Sequence, residues 1–381
     1  MKFITILVVL TIIMSCSNNA GEFNNDHSAF KSSYTLKRAK VKTSAAYDSL
    51  KQWAKDESGL ILAKYSADTF SDTTLAKKAE LQANAGDKDT AIDSYARSLN
   101  SDVDPHPDQV INYIGLLFDN DLKQSSMRQQ IEQLLSDYRV SLGSKWISTT
   151  LNFGYNLLDK NLYDPALKAF ENVIDADTSA RYLGQAVQEK ATILFETTNV
   201  EEAISYLRSM EEKYPENKMI FEKVNQLMLI GEKAPMLDQK YWIGKNLSKF
   251  KGHVTMIDFW APWCGPCRRA FPEMKELYSA YHGKGLEIIS ATNYYKFYRD
   301  DREYIEDIGQ EDYDKKLVEF KERFELPWSV LMADSRANRD NYSVSFIPTF
   351  LLVDKKGIVR HVQVGTRSDK SRLHEIIENL L

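Results

Sequence analysis

The chain has 381 residues, 43% of them hydrophobic and 27% charged, which is long enough for two or three domains that each bury a core. With 49 Lys and Arg against 54 Asp and Glu the net charge is −5, so a basic nucleic-acid-binding surface is not expected. The 16 Gly and 10 Pro form no low-complexity tract, which excludes a fibrous or wholly disordered chain, and 3 Cys are too few for a disulfide scaffold.

Lys2 is followed by an apolar run from Phe3 to Met14, broken only by Thr5 and Thr11. Such a run is short of the roughly 20 residues a spanning helix needs; a positive start, a short apolar stretch and a small residue describe an export signal. Ile13-Met14-Ser15-Cys16 resembles the lipobox of bacterial lipoproteins, although Met14 is not the commonest residue at its place. That resemblance implies a signal peptide over 1–15, a lipid on Cys16, and a mature protein outside the cytoplasm, facing the periplasm or the cell exterior. The alternative is a plain secretory peptide with an incidental cysteine. Ser17-Asn18-Asn19-Ala20-Gly21 offers little to bury, so 16–42 reads as a flexible tether.

From Ala45 to Gly231 helical periodicity prevails, and a helical domain is expected over 43–232. Three segments are alike: Gly86 to Ala91 followed by Tyr95, Tyr163 to Ala166 followed by Phe170, and Asn199 to Ala203 followed by Leu207. Each places a polar turn before an Ala, with a large apolar residue four positions on. Ala91 and Ala166 are 75 apart and Ala166 and Ala203 are 37 apart, near two and one helix-pair periods. With Gly154 and Pro215 also in place, the segment resembles a degenerate tetratricopeptide array with one unit diverged beyond sight. Such arrays offer surfaces for a protein or peptide partner. The alternative is an irregular bundle with accidental Ala spacing. His27 and His106 are isolated, and nothing in this region has a catalytic pattern.

At Gly231-Glu232-Lys233-Ala234-Pro235 the texture changes to alternating strand and helix patterns, an α/β domain over 233–381. Strands are expected at Val254–Phe259, Leu286–Ala291, Trp328–Met332, Thr349–Val353 and Ile358–Val364, the last two antiparallel across Asp354-Lys355-Lys356-Gly357. Phe271, Met274, Tyr278 and Tyr281 mark a helix after the first strand. A terminal helix is expected over 368–381, with Leu373, Ile376, Ile377 and Leu380 inward. Tyr313, Leu317, Phe320 and Phe324 mark another in a charged segment between Tyr294 and Pro327.

Between the first strand and its helix lies Trp263-Cys264-Gly265-Pro266-Cys267. Two thiols so spaced at a helix start can close a small disulfide ring. The first faces unpaired backbone N–H groups and the positive end of the helix dipole, which favour a thiolate. Cys267, one turn in, would be buried and placed to attack a mixed disulfide. A zinc site would need further Cys or clustered His; no other cysteine remains here, and His253, His282, His361 and His374 lack ligand spacing. No metal and no cofactor is expected.

Ile257-Asp258-Phe259-Trp260-Ala261-Pro262-Trp263-Cys264-Gly265-Pro266-Cys267 is similar to the thioredoxin active-site strand and turn, and Phe346-Ile347-Pro348-Thr349 resembles its cis-proline loop. The opening residues, the inserted segment and the leader point to the TlpA/ResA-like membrane-anchored thiol-disulfide oxidoreductases. The resemblance implies Cys264 as attacking thiol, Cys267 as resolving thiol, Asp258 as the buried carboxylate that takes the Cys267 proton, and Pro348 as the cis residue beside the disulfide. It also implies that Trp263, Gly265, Pro266, Ile347 and Thr349 meet the substrate, with Trp263 as an apolar rim around an exposed sulfur. For Asp258 the alternative is a partly solvated strand end. Two departures bear on proton handling: Ala270 stands where many of these proteins carry Glu, and Asp258 where their strand often has Asn. Tyr294, Tyr295, Phe297 and Tyr298 either line a groove or pack on the surface.

The expected function is therefore reduction of disulfides in exported proteins, with a membrane electron donor to restore the dithiol. A disulfide oxidase or isomerase is the alternative in the same class. A thiol peroxidase would want Thr at Ala261. A non-catalytic binding or assembly module on a thioredoxin-like scaffold is the reading from another class.

Overall fold

A computed structural model describes the backbone of residues 2–65, 72–101, 105–176, 179–247, 249–366 and 371–381, and side chains from residue 20 onward except at 44, 72 and 73. It divides into two compact units, Met1–Thr149 and Thr150–Leu381.

The first unit is helical: α1 Lys2–Arg38, α2 Ser44–Lys64, α3 Asp72–Ala85, α4 Lys88–Ser101, α5 Pro107–Phe118, α6 Ser125–Asp137, α7 Arg139–Leu142 and the start of α8 Ser144–Asp159. Here the expectation of a flexible tether over 16–42 is corrected. Residues 20–38 belong to α1, and Phe23, His27 and Phe30 are buried. Phe23, Phe30 and half-buried Tyr34 pack with Ala54, Ile61, Tyr65 and Leu81, and Phe30 stacks on Trp53 at 5.7 Å. Their positions, 23, 27, 30 and 34, follow one helical stripe. The polar residues between them merely face outward, which is why composition alone misreads the segment. His27 is not isolated: its Nε2 lies 3.0 Å from Glu80 Oε2. His106 caps α5 in a reciprocal arrangement with Gln109, ahead of Pro107 in the first turn. The Cys16 side chain lies outside the described residues. Among those described, no helix is long and apolar enough to cross a membrane.

The second unit continues with α9 Tyr163–Asp175, α10 Ala180–Thr197, α11 Val200–Lys213 and α12 Lys218–Met228. The three anchor alanines occupy the fourth position of α4, α9 and α11, and Ala91, Ala166 and Ala203 are fully buried. A Cβ on Gly154 would come within 2.7 Å of the Phe170 ring, so the close approach of α8 and α9 requires glycine there. Between the first two anchors lies the helix pair α5–α6, without an anchor alanine. Arg128 holds the fourth position of α6 and reaches back to the carbonyls of Leu122 (2.6 Å) and Lys123 (2.8 Å).

Strands β1 Tyr241–Ile243, β2 Val254–Phe259, β3 Leu286–Asn293, β6 Ser329–Ala333, β7 Thr349–Val353 and β8 Val359–Val364 form one sheet in the order β1-β6-β3-β2-β7-β8. β2 is parallel to β3 and antiparallel to β7; β3 is parallel to β6 and β8 antiparallel to β7. β2 and β3 are buried throughout because they lie at the centre of the sheet with both faces covered. Helices α13 Gly265–Tyr281, α14 Gln310–Arg323 and α16 Ser371–Leu380 cover one face, with short α15 Ala337–Asn341 at the end of β6. Residues 368–370 of the expected terminal helix lie outside the described residues. The edge strand β1 and a small hairpin, β4 Tyr298–Arg299 with β5 Tyr304–Ile305, were not expected; both are too short for a periodic pattern. The opposite face carries Ile257, Phe259, Leu351, Val359 and Tyr342, with Leu229 and Ile230 packed against them.

Candidate active site

The pleat of β2 sends Met256 and Trp260 into the cluster beneath α13, and Asp258, between them, faces the same side. After Trp260 the chain turns through Pro262 and enters α13 with Cys264 as its N-cap. Cys264 and Cys267 form a disulfide with Cα atoms 5.3 Å apart. The Cys267 backbone N–H donates to Cys264 Sγ at 3.2 Å, so the first sulfur takes up one of the donors that a helix start leaves unpaired. The expectation of an exposed first sulfur is corrected: Cys264 is 4% and Cys267 1% exposed. Gly265 is half-buried and Pro266 exposed at the second helical position.

Asp258 is 1% exposed, so the partly solvated reading does not apply. Burial pushes its carboxyl up to about 7, opposed by the Ser290 hydroxyl, which donates to Oδ2 at 2.8 Å. Trp328 Nε1 in turn donates to Ser290 Oγ at 2.8 Å, while Asp258 Oδ1 has no hydrogen-bond partner among the described residues. A chain Trp328–Ser290–Asp258 thus ends on a carboxyl that burial brings into the neutral range, where it can both take and give a proton.

The Ile347–Pro348 peptide bond is cis, and the Ile347 carbonyl oxygen lies 3.8 Å from Cys264 Sγ. Thr349 is buried, opens β7 opposite Phe259, and donates its hydroxyl to the Phe346 carbonyl at 2.7 Å. Half-buried Trp263 meets Tyr295 edge-to-face with ring centroids 5.6 Å apart. Trp260 is core, tilted against Phe320 at 5.0 Å. Of Tyr294, Tyr295, Phe297 and Tyr298, Tyr298 is buried and Tyr294 hydrogen-bonds Ile308; only Tyr295 reaches the motif's tryptophan in the ring contacts described.

A family model described as Redoxin matches residues 231–377. The thioredoxin-like protein YneN of Bacillus subtilis is 30% identical over 142 residues, covering 37% of this chain and 74% of that protein. The chain belongs to the thioredoxin-like thiol-disulfide oxidoreductases. Another such oxidoreductase, ResA of Geobacillus kaustophilus, is 32% identical over 122 residues, 32% of this chain and 60% of its own length. The solved thioredoxin domain of a thiol-disulfide oxidoreductase from Bacteroides vulgatus is 21% identical, with a TM-score of 0.31, covering 40% of this chain and 98% of that one.

In this oxidoreductase two site neighbours, Ser290 and Trp328, were not expected, whereas Tyr295 is one of the four aromatics expected either at a groove or on the surface. Ser290 was readable in principle, as a polar residue inside Leu286–Ala291. Trp328 gave no sign of its role, since that role depends on the start of β6 lying beside β3. Among the described residues no cluster of His, Cys, Asp and Glu could hold a metal ion.

Proposed function

We propose that this oxidoreductase works as a reductase of disulfides in exported proteins, with Cys264 as attacking and Cys267 as resolving thiol. The observation that carries this reading is the pair of contacts on Cys264 Sγ: the Cys267 N–H at 3.2 Å and the Ile347 carbonyl at 3.8 Å. In the dithiol state that N–H and the start of α13 stabilise a thiolate at Cys264. A substrate segment lying along Ile347 and Thr349, on the cis side of Pro348 and against Trp263, Gly265 and Pro266, brings its disulfide to that sulfur.

The Cys264 thiolate attacks one substrate sulfur, forming a mixed disulfide and expelling the other sulfur as a thiolate that takes a proton from water. Cys267 gives its proton to the Asp258 carboxylate, and its sulfur attacks Cys264 Sγ. The second substrate sulfur leaves as a thiolate that takes a proton from water, and Asp258 returns the Cys267 proton to solvent. The substrate has gained two electrons and two protons, and the Cys264–Cys267 disulfide is back. A donor at the membrane must then re-reduce it. The Gly-Pro pair between the cysteines supports the reducing direction. The leader and Cys16 support export and lipid anchoring, with the helices from 43 to 232 as a module that docks the partner and 233–381 as the redox domain.

Equilibration of the soluble fragment against a glutathione series, read by mass after thiol trapping, tests the direction. A potential near −270 mV, roughly that of thioredoxin, is expected; one above about −180 mV makes the protein an oxidant or isomerase.

A further inference from the structure

The segment that delivers Ile347 to the disulfide is held from two sides. Arg339, in α15, donates Nη2 to the carbonyls of Val344 (3.1 Å) and Ser345 (3.0 Å). Thr349 holds the Phe346 carbonyl at 2.7 Å, and the Gly365 N–H donates to that of Pro348 at 2.8 Å. The remaining anchors come from α12. Gln226 Nε2 donates to the Ser343 carbonyl at 3.3 Å, and the Ser345 hydroxyl donates to the Glu222 carboxylate. Gln226 is itself buried and oriented, because Lys223 Nζ donates to its Oε1 at 3.3 Å. Of the carbonyls from 343 to 348, that of Ile347 is the one turned to Cys264.

Ser343 has φ 50°, a left-handed conformation that a serine adopts only when its surroundings hold it. Glu222 and Gln226 are one turn apart on one helix, so they grip the loop from a single rigid edge. That helix packs on α10 and α11, the last pair of the array. Its role toward the loop is therefore separate from any docking of partners by the array.

We propose that α12 is a positioning element of the redox site: Glu222 and Gln226 set the loop 343–347 so that the Ile347 carbonyl is presented to a protein substrate. The proposal rests on the reading of Cys264 and the Pro348 loop as the reacting site. A protein substrate pairs its backbone with this loop, whereas a small disulfide needs only access to the sulfur. Loosening the loop should raise KM for the first more than for the second, with the potential of the cysteine pair unchanged.

The test uses the full chain recycled by dithiothreitol, with insulin as protein disulfide and 2-hydroxyethyl disulfide as small disulfide, each rate corrected for direct reduction by dithiothreitol. Ser345→Ala is expected to raise KM for insulin about fivefold relative to KM for the small disulfide, the scale of one lost hydrogen bond. Ser345→Thr, which keeps the hydroxyl, should restore the ratio, and Glu222→Ala should reproduce the effect without adding to it in the double variant. If Ser345→Ala unfolds the chain, Glu222→Ala at its half-exposed helix position carries the same expectation. An unchanged ratio, an equal change for both disulfides, or a shifted potential overturns the proposal. Should Cys264→Ser still reduce insulin, the site reading fails and the proposal with it. Loss in Cys264→Ser with an unchanged ratio in Ser345→Ala overturns the positioning role alone.

Discussion

The helix pairs and the sheet domain are held by contacts of different reach. In the array, α9 packs on α10, α10 on α11 and α11 on α12, each the next element in the chain. In the sheet domain, Asp258 pairs across the ladders with Ser290 on one side and Phe350 on the other. Contacts that reach only one or two elements along the chain let one unit drift without disturbing distant ones. Hence Arg128 stands where three sister positions have Ala, its guanidinium bonding the preceding turn instead. The sheet domain has no such latitude at β2, where all six residues are buried between two strands and two faces. The motif kept its sharpness where contacts are long-range, and the repeat blurred where they are local.

The sharpest break of that comparison is at the sulfur. Cys264→Ser should abolish turnover of protein disulfides while leaving the helical signal in circular dichroism intact, because the sulfur proposed to attack substrate caps α13 and belongs to no helix pair. Turnover that survives would mean that Cys264 is not the attacking sulfur, whereas biological function kept without turnover would move the binding module to the front.

Next in size is the N-terminal helix. Phe23 is fully buried among Ala54, Ile61, Tyr65 and Leu81, so Phe23→Ala should cost roughly 3–5 kcal/mol in denaturant unfolding. It should also open 20–38 to protease. If cleavage there is already rapid in the unaltered protein, the segment behaves as a tether after all.

Asp258→Asn is expected to slow resolution of the mixed disulfide about a hundredfold, the lower range for a lost general base. Its effect on stability has the opposite sign. A carboxyl raised from 3.8 to about 7 by burial binds its proton more tightly folded than unfolded. Stability is thus full below about pH 4 and falls as pH rises through 7. Asparagine removes that slope, gaining up to about 4 kcal/mol at pH 8. Thermal unfolding across pH 4–8 reads this directly, and a slope unchanged in the variant would refute it.

The smallest effect expected is at the repeat. Gly154→Ala forces a methyl to 2.7 Å from the Phe170 ring, costing roughly 1–3 kcal/mol in the melting of the full chain. A neutral outcome would mean that α8 and α9 tolerate drift even at a glycine contact.

Much of the sheet domain could be read in advance for a physical reason. Val254–Phe259 and Thr349–Val353 are the strands as observed because both faces are buried and every position must be apolar or specially excused. The stripe Tyr313, Leu317, Phe320 was equally plain in α14, since only one face of that helix meets the core. Residues 20–38 were misread because four large side chains in a polar background matter only once α2 and α3 are there to receive them. β1 escaped for a similar reason: three residues at an edge take their structure from pairing with β6 rather than from their own pattern.

The sequence by itself determined the chemistry: two cysteines at a helix start, a carboxylate in a buried strand, and a proline in the facing loop, because residue type and spacing along one strand and one turn suffice to specify them. Tertiary structure alone decided what surrounds that chemistry. It sheltered the Cys264 sulfur, joined Asp258 to Ser290 and Trp328 across strands 32 and 70 residues away, and set Glu222 and Gln226 of α12 against the loop before Pro348. These contacts are made between segments whose own patterns are satisfied without them, so no local periodicity announces them.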